Sequence, residues 1–112
     1  MTDRELTWLT VPDLASLLGI FTSRVRRLIE DRSLLAARID GVLRVPDIFL
    51  RDGAPLPELR GTLILLADSG FSDDEAMHWL LSDEESLGKA PIDALLDGRK
   101  AEVRRIAQAL AI

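Results

Sequence analysis

Between Val11 and Val45 the apolar residues change their spacing once, from a helical repeat to strict alternation, and that switch restricts the fold more than any other property of the chain. Val11, Leu14, Ala15, Leu17 and Leu18 recur at helical spacing and predict an amphipathic helix with one buried face. Thr10 precedes them as a cap, Pro12 sits in the first turn, and Asp13 faces the positive end of the helix dipole. Gly19 supplies the left-handed residue that ends the helix. A second helical run follows the short connection Gly19 to Thr22. Val25, Leu28 and Ile29 fall on one side of it, and Ser23, Arg26, Arg27 and Glu30 on the other.

Beyond Leu34, Ala37, Ile39, Leu43 and Val45 alternate against Arg38, Asp40 and Arg44 around Asp40-Gly41, which is the pattern of a β-hairpin. A two-residue turn at Asp40-Gly41 would pair Ile39 with Val42 and set Arg38 and Arg44 on opposite faces. A three-residue loop, Asp40 to Val42, would pair Ile39 with Leu43 and put both arginines on the exposed face. The expectation is the second arrangement, because it keeps the apolar set together on the core side. Pro46 closes the strand. Helix, tight turn, arginine-bearing helix and basic hairpin stand here in the order of a winged helix-turn-helix. In that arrangement the second helix enters the DNA major groove and the hairpin lies on neighbouring phosphates. The candidate DNA-binding residues are therefore Ser23, Arg24, Arg26 and Arg27 on the second helix and Arg38 and Arg44 on the hairpin.

The run LTVPDLASLLGIFTSRVRRLIEDRSLLAARIDGVLRVP resembles the helix-turn-helix and wing of excisionase-like and MerR-like regulators. Their pattern is an apolar-Thr-Val-Pro start, Leu-Leu-Gly at the end of the first helix, Ser-x-Val-x-x-Leu in the second, and an Arg-containing hairpin ending in Val-Pro. One position departs from it. Phe21 stands just before the second helix, where the pattern commonly has Ser, which leaves Thr22 as the alternative cap.

Asp52 to Leu56, with Gly53, Pro55 and the following Pro57, reads as a linker or loop. Pro57 to Ser69 predicts a helix with Leu59, Leu63, Ile64, Leu66 and Ala67 on one broad buried side. Ser72-Asp73-Asp74-Glu75 is a capping box that opens a helix through Leu81. After an acidic segment, Ser82 to Ala90, Pro91 and Gly98 bracket a short helix. Arg99 to Leu110 forms the last one, with Val103, Ile106, Ala107 and Leu110 inward. The segment GTLILLADSGFSDDEAMHWLLSDEESLGKAPIDALLDGRKAEVRRIAQAL is similar to the C-terminal helical region of a small actinobacterial family of winged helix-turn-helix DNA-binding proteins. The expected fold is mainly α: a DNA-binding module over residues 1–51 with a short β-hairpin wing, then a bundle of about four helices over residues 52–112, packed on the module or mediating partner contacts.

Charge is divided between the halves. Residues 1–51 hold eight arginines against seven carboxylates, and residues 52–112 hold six basic against twelve acidic side chains, within a net charge of −5. From Thr22 to Arg44, six arginines face Glu30, Asp31 and Asp40, so the local field is positive where the candidate contacts lie. The chain has no cysteine and one histidine, His78, which excludes thiolate metal sites and disulfides. No cofactor is implied. The acidic groups lie in capping or loop contexts with no nucleophile, base or phosphate-cradling loop beside them, so an enzyme is not expected. Met1 to Leu6 is charged and lacks the apolar run of a signal peptide, and no stretch approaches the roughly 20 apolar residues of a membrane span, which implies a cytoplasmic location without a membrane partner.

The expected function is a transcriptional regulator bound to double-stranded DNA, with a homodimer or a protein partner held through the C-terminal helices. The alternative is a protein-interaction adaptor, antitoxin-like, with the winged helix as scaffold. Thr7 and Thr10 are candidate phosphorylation sites, where added negative charge beside the first helix would oppose DNA binding. Thr10 already has a structural role as a cap. Trp8 and Trp79 read as packing residues and His78 as exposed.

Overall fold

In the computed structural model, residues 5–110 are described; the charged start Met1–Arg4 and the terminal Ala111 and Ile112 lie outside them. The described residues form two compact units, residues 5–60 and residues 61–110. No described helix is long and apolar enough to cross a membrane.

The first unit begins with β1 (Trp8–Thr10), which leads without a break into α1 (Val11–Leu18). Thr10 Oγ1 accepts from the Asp13 amide at 3.2 Å while the Asp13 carboxylate accepts from the Thr10 amide at 3.1 Å, a reciprocal capping box. Gly19 at φ 68° ends α1 as expected. Then α2 (Thr22–Glu30) starts from Phe21, which has extended dihedrals and no side-chain capping bond. Thr22 is therefore not the cap: it lies one residue too far along, already inside the helix, and the expectation is corrected. Leu14 and Val25 are fully buried between these helices and the sheet, whereas Leu17, expected inward, is 57% exposed. Leu17 lies one residue short of the stripe that Leu14 and Leu18 define, and α1 is too short to wrap it into a core.

A three-stranded antiparallel sheet in the order β1-β3-β2 completes the unit, with β2 (Ala37–Ile39) and β3 (Val42–Pro46) as the wing. Its register differs from the expected one. Ile39 pairs with Val42, Arg38 with Leu43 and Ala37 with Arg44, so the turn has two residues, not three. Asp40 at φ 53° and Gly41 at φ 79° are both left-handed, which is the type I′ geometry whose twist matches a two-residue hairpin. Turn chemistry outweighed the apolar alternation, and Arg38 and Arg44 stand on opposite faces of the ribbon. β1 was not foreseen. Thr10 pairs with Arg44, Leu9 with Val45 and Trp8 with Pro46, and the Asp47 amide continues the ladder to the Thr7 carbonyl at 2.9 Å.

A 3₁₀ turn, Asp47–Phe49, buries Phe49 and leads into a second small hairpin, β4 (Leu50–Arg51) and β5 (Ala54–Pro55). The segment expected as a linker or loop is thus a tight turn between two short paired strands. Asp52 at φ 53° and Gly53 at φ 73° repeat the turn chemistry of Asp40-Gly41. The core of the unit is Leu14, Val25, Leu34, Val45 and Phe49, each no more than 1% exposed.

The chain then enters α3 (Leu59–Asp68), shorter than expected at its start because Pro57 and Glu58 form the turn before it. Leu63 and Leu66 are buried, while Ala67, expected on the same side, is exposed. In the second unit α4 (Asp73–Leu81) opens on the capping box: Ser72 Oγ accepts from the Glu75 amide at 3.1 Å and Glu75 Oε1 from the Ser72 amide at 2.8 Å. Trp79 is half-buried, packs edge-on to Phe71 at 6.3 Å and donates its Nε1 to Glu84, and His78 is exposed. Helices α5 (Pro91–Leu96) and α6 (Lys100–Ala109) follow, the first with Pro91 in its first turn. Leu80, Ile92, Leu95, Val103 and Ala107 close the core, and Leu110, expected inward, is 43% exposed just past the end of α6.

Candidate nucleic-acid interface

Helix α2 presents its polar side to solvent because Val25 alone of its central residues is fully buried, and Leu28 and Ile29 flank it half-buried. Ser23, Arg26, Arg27 and Glu30 are exposed and project within an arc of about 100°, given the helical period. No hydrogen bond or ion pair among the described residues engages the guanidinium of Arg26 or of Arg27.

Two clefts border this face. One, of about 280 Å³, is lined by Arg26 of α2, Arg38, Gly41, Val42 and Leu43 of the wing, and the start of α1 at Thr10, Val11 and Pro12. Arg26 and Arg38, twelve positions apart in the chain, thus share one concave surface. Arg38 curls over its own turn, with Nη1 3.4 Å from the Gly41 carbonyl, and stays exposed. The other cleft, of about 430 Å³, is lined by Ser23, Arg27, Glu30 and Asp31.

Arg24 and Arg44 do not join Arg38. Arg24 lies about 160° around α2 from Arg26, on the flank that carries Asp31. Asp31 is held below the usual carboxylate range, first by its hydrogen bonds with Ser33 and then by the charges of Arg60 and Arg24. Arg44 lies across the other face of the ribbon, half-buried, with Nη1 3.4 Å from the Trp8 carbonyl and its Nε enclosed without an acceptor among the described residues. Its charge also helps to lower Asp13, whose carboxyl is depressed chiefly by the Thr10 amide and hydroxyl. Because the two-residue turn separates the faces, the expectation of a common exposed face for Arg38 and Arg44 is corrected.

Thr10 is half-buried with its hydroxyl oxygen committed to the α1 cap, while Thr7 is exposed and its amide donates to Asp47 Oδ1 at 3.3 Å. Three residues of this surface are not among the candidates that the sequence marks. Pro12 and Val42 line the Arg26–Arg38 cleft, and Arg60 donates its Nε to the Asp31 carbonyl, the end of α2, at 2.9 Å. Val42 depends on the two-residue turn, which pairs it with Ile39, and Pro12 on the packing of the start of α1 beside the wing. Arg60 is 29 positions from its acceptor, and no local spacing connects them. Among the described residues no three His, Cys, Asp or Glu side chains are grouped so as to hold a metal ion.

Comparison with known proteins identifies the family and the fold. The family described as "DNA-binding protein Rv2175c, wHTH domain" matches residues 1–50, and the one described as "Rv2175c C-terminal domain of unknown function" matches residues 56–111. The DNA-binding protein Rv2175c of Mycobacterium tuberculosis (strain ATCC 25618 / H37Rv) is 33% identical over 114 residues, covering 90% of this chain and 78% of that protein. The NMR structure of Rv2175c superposes with a TM-score of 0.87 at 31% identity, covering 100% of this chain and 86% of that one.

Proposed function

The chain belongs to the family of the DNA-binding protein Rv2175c, a small actinobacterial family with a winged helix-turn-helix domain, and from that membership we propose that it binds double-stranded DNA as a transcriptional regulator. Helix α2 lies in the major groove with Ser23, Arg26 and Arg27 toward base edges and phosphates, and the wing rests on the adjoining backbone. The observation that carries this reading is the cleft shared by Arg26 and Arg38. It sets two guanidinium groups, one from each DNA-facing element, around a concave surface suited to a phosphate. Arg24 and Arg44 contribute as flanking charges.

A single module of this size makes few contacts, so tight operator binding calls for two copies on repeated half-sites. The test is a titration of the full chain against random duplex over a range of salt. Log K should fall linearly with log salt, by about 0.9 for each phosphate neutralised. No complex at low salt, together with a stable complex with a co-purifying basic protein, would instead assign the chain to the adaptor class.

A further inference from the structure

Phe21 is the most exposed large apolar residue among the described residues, at 85%, and it stands immediately before the arginine-bearing helix. It costs the folded protein twice. As the N-cap of α2 it offers no acceptor to the helix amides, where Ser, Thr, Asp or Asn would stabilise the helix start. Its ring also stays in water, so none of the stabilisation that burial of a phenyl group provides is realised. Its backbone is ordinary by contrast: φ is −73°, and its carbonyl accepts from the amides of Arg24 and Val25. The fold therefore gains from a carbonyl at this position and gains nothing from an aromatic ring.

The next three residues, Thr22, Ser23 and Arg24, are all exposed and polar, and Arg26 and Arg27 follow. An aromatic ring leading a run of donors and guanidinium groups suits nucleic acid better than an apolar protein surface, because the surrounding charges would have to be desolvated against the latter without partners. In the major groove the one apolar feature of a base edge is the 5-methyl group of thymine.

Resting on the reading that α2 enters the major groove, we infer that Phe21 is a specificity-determining residue that selects a thymine by contact with its 5-methyl group. The interaction adds sequence preference and little electrostatic affinity, since it neutralises no phosphate.

Selection of bound fragments from a pool of random duplexes, performed with the wild-type chain and with Phe21→Ala, tests this. The substitution is at an exposed site, and circular dichroism and a melting curve verify that the variant folds. The wild-type pool should fix a thymine at one position in each half-site, and the Phe21→Ala pool should lose that preference. Replacing that thymine by deoxyuridine, which deletes only the methyl group, should weaken the wild-type complex by about fourfold, the worth of one buried methyl. It should leave the Phe21→Ala complex unchanged, with the salt dependence of both proteins alike. Retention of the same thymine by Phe21→Ala, indifference of the wild type to deoxyuridine, or a wild-type pool with no preferred base overturns the assignment of Phe21 while leaving DNA binding standing. A change of self-association in Phe21→Ala by sedimentation, with base preference intact, assigns the ring to a contact between copies and overturns it too. Absence of any salt-dependent complex would sink the functional reading itself.

Discussion

Arg38 and Arg44 are six positions apart on one hairpin, yet the turn between them gives them different surroundings. Arg38 stands exposed beside Arg26, while Arg44 is half-buried across Trp8. If Arg26 and Arg38 seat a phosphate, Arg26→Ala and Arg38→Ala should each weaken binding by roughly 1–3 kcal/mol and lower the salt slope by about one. Their melting temperatures should hardly change, because neither side chain is packed. Arg44→Ala should show the reverse: a smaller change of slope than Arg38→Ala and a measurable loss of stability from the packing over β1. Equal slopes for the Arg38 and Arg44 variants would show that the wing presents both arginines to the duplex. That Ser23, Arg26 and Arg27 share one exposed side of α2 is legible in the sequence, since it follows from helical spacing alone. Which of the hairpin arginines joins them was not, because that depends on a single residue of register.

At the scale of the element, the strongest local signals were reciprocal ones. The Ser72–Glu75 capping box forms as the sequence implies, and Thr10 caps α1 as expected, with Asp13 completing a second box beyond its expected dipole role; each box satisfies two amides within four residues and needs no distant partner. Thr10→Ala and Ser72→Ala should each cost about 1 kcal/mol, read from denaturant unfolding with an unchanged m-value. The carboxylates of the boxes set a pH dependence. Asp13 and Glu75 are both held below the ordinary carboxylate range, chiefly by the amides of Thr10 and Ser72. A folded-state pKa below the unfolded one means that their stabilisation is complete above the unfolded value and is lost as pH falls through the folded one. The melting temperature should therefore drop on acidification through and below the ordinary carboxylate range, and Asp13→Asn with Glu75→Gln should flatten that acid limb. An unchanged limb would place the acid sensitivity elsewhere. Elements that depend on distant partners were illegible. β1 has three residues, too few to show alternation, and exists because β3 offers Arg44, Val45 and Pro46 opposite it. The Asp52-Gly53 hairpin was passed over because its strands have two residues each, although its turn pair is that of Asp40-Gly41.

Over the whole molecule, a chain of net charge −5 that grips a polyanion must keep its acidic and basic regions electrically apart. Residues 52–112 carry twelve acidic and six basic side chains, whereas Thr22 to Arg44 carries six arginines against three carboxylates. Salt decides how far each is felt. Near physiological ionic strength the screening length is about 8 Å, so a phosphate beside Arg26 responds chiefly to charges within that distance, the arginines of α2 and the wing among them. Near 0.01 M it is about 30 Å, comparable with a small domain, and every acidic side chain within that reach of the duplex then repels it. The salt dependence should accordingly be steep and linear at moderate salt and should bend toward a plateau as salt is lowered further. Fluorescence anisotropy from about 10 mM to about 300 mM salt measures both regimes. A line that stays straight to the lowest salt would mean that the acidic helices are too far from the bound duplex to act on it. Replacing Asp73 and Asp74, which stand between Ser72 and Glu75 but do not make the reciprocal bonds of the box, by Asn should straighten the bent limb without altering the slope at moderate salt, since the phosphate contacts that set that slope would be untouched.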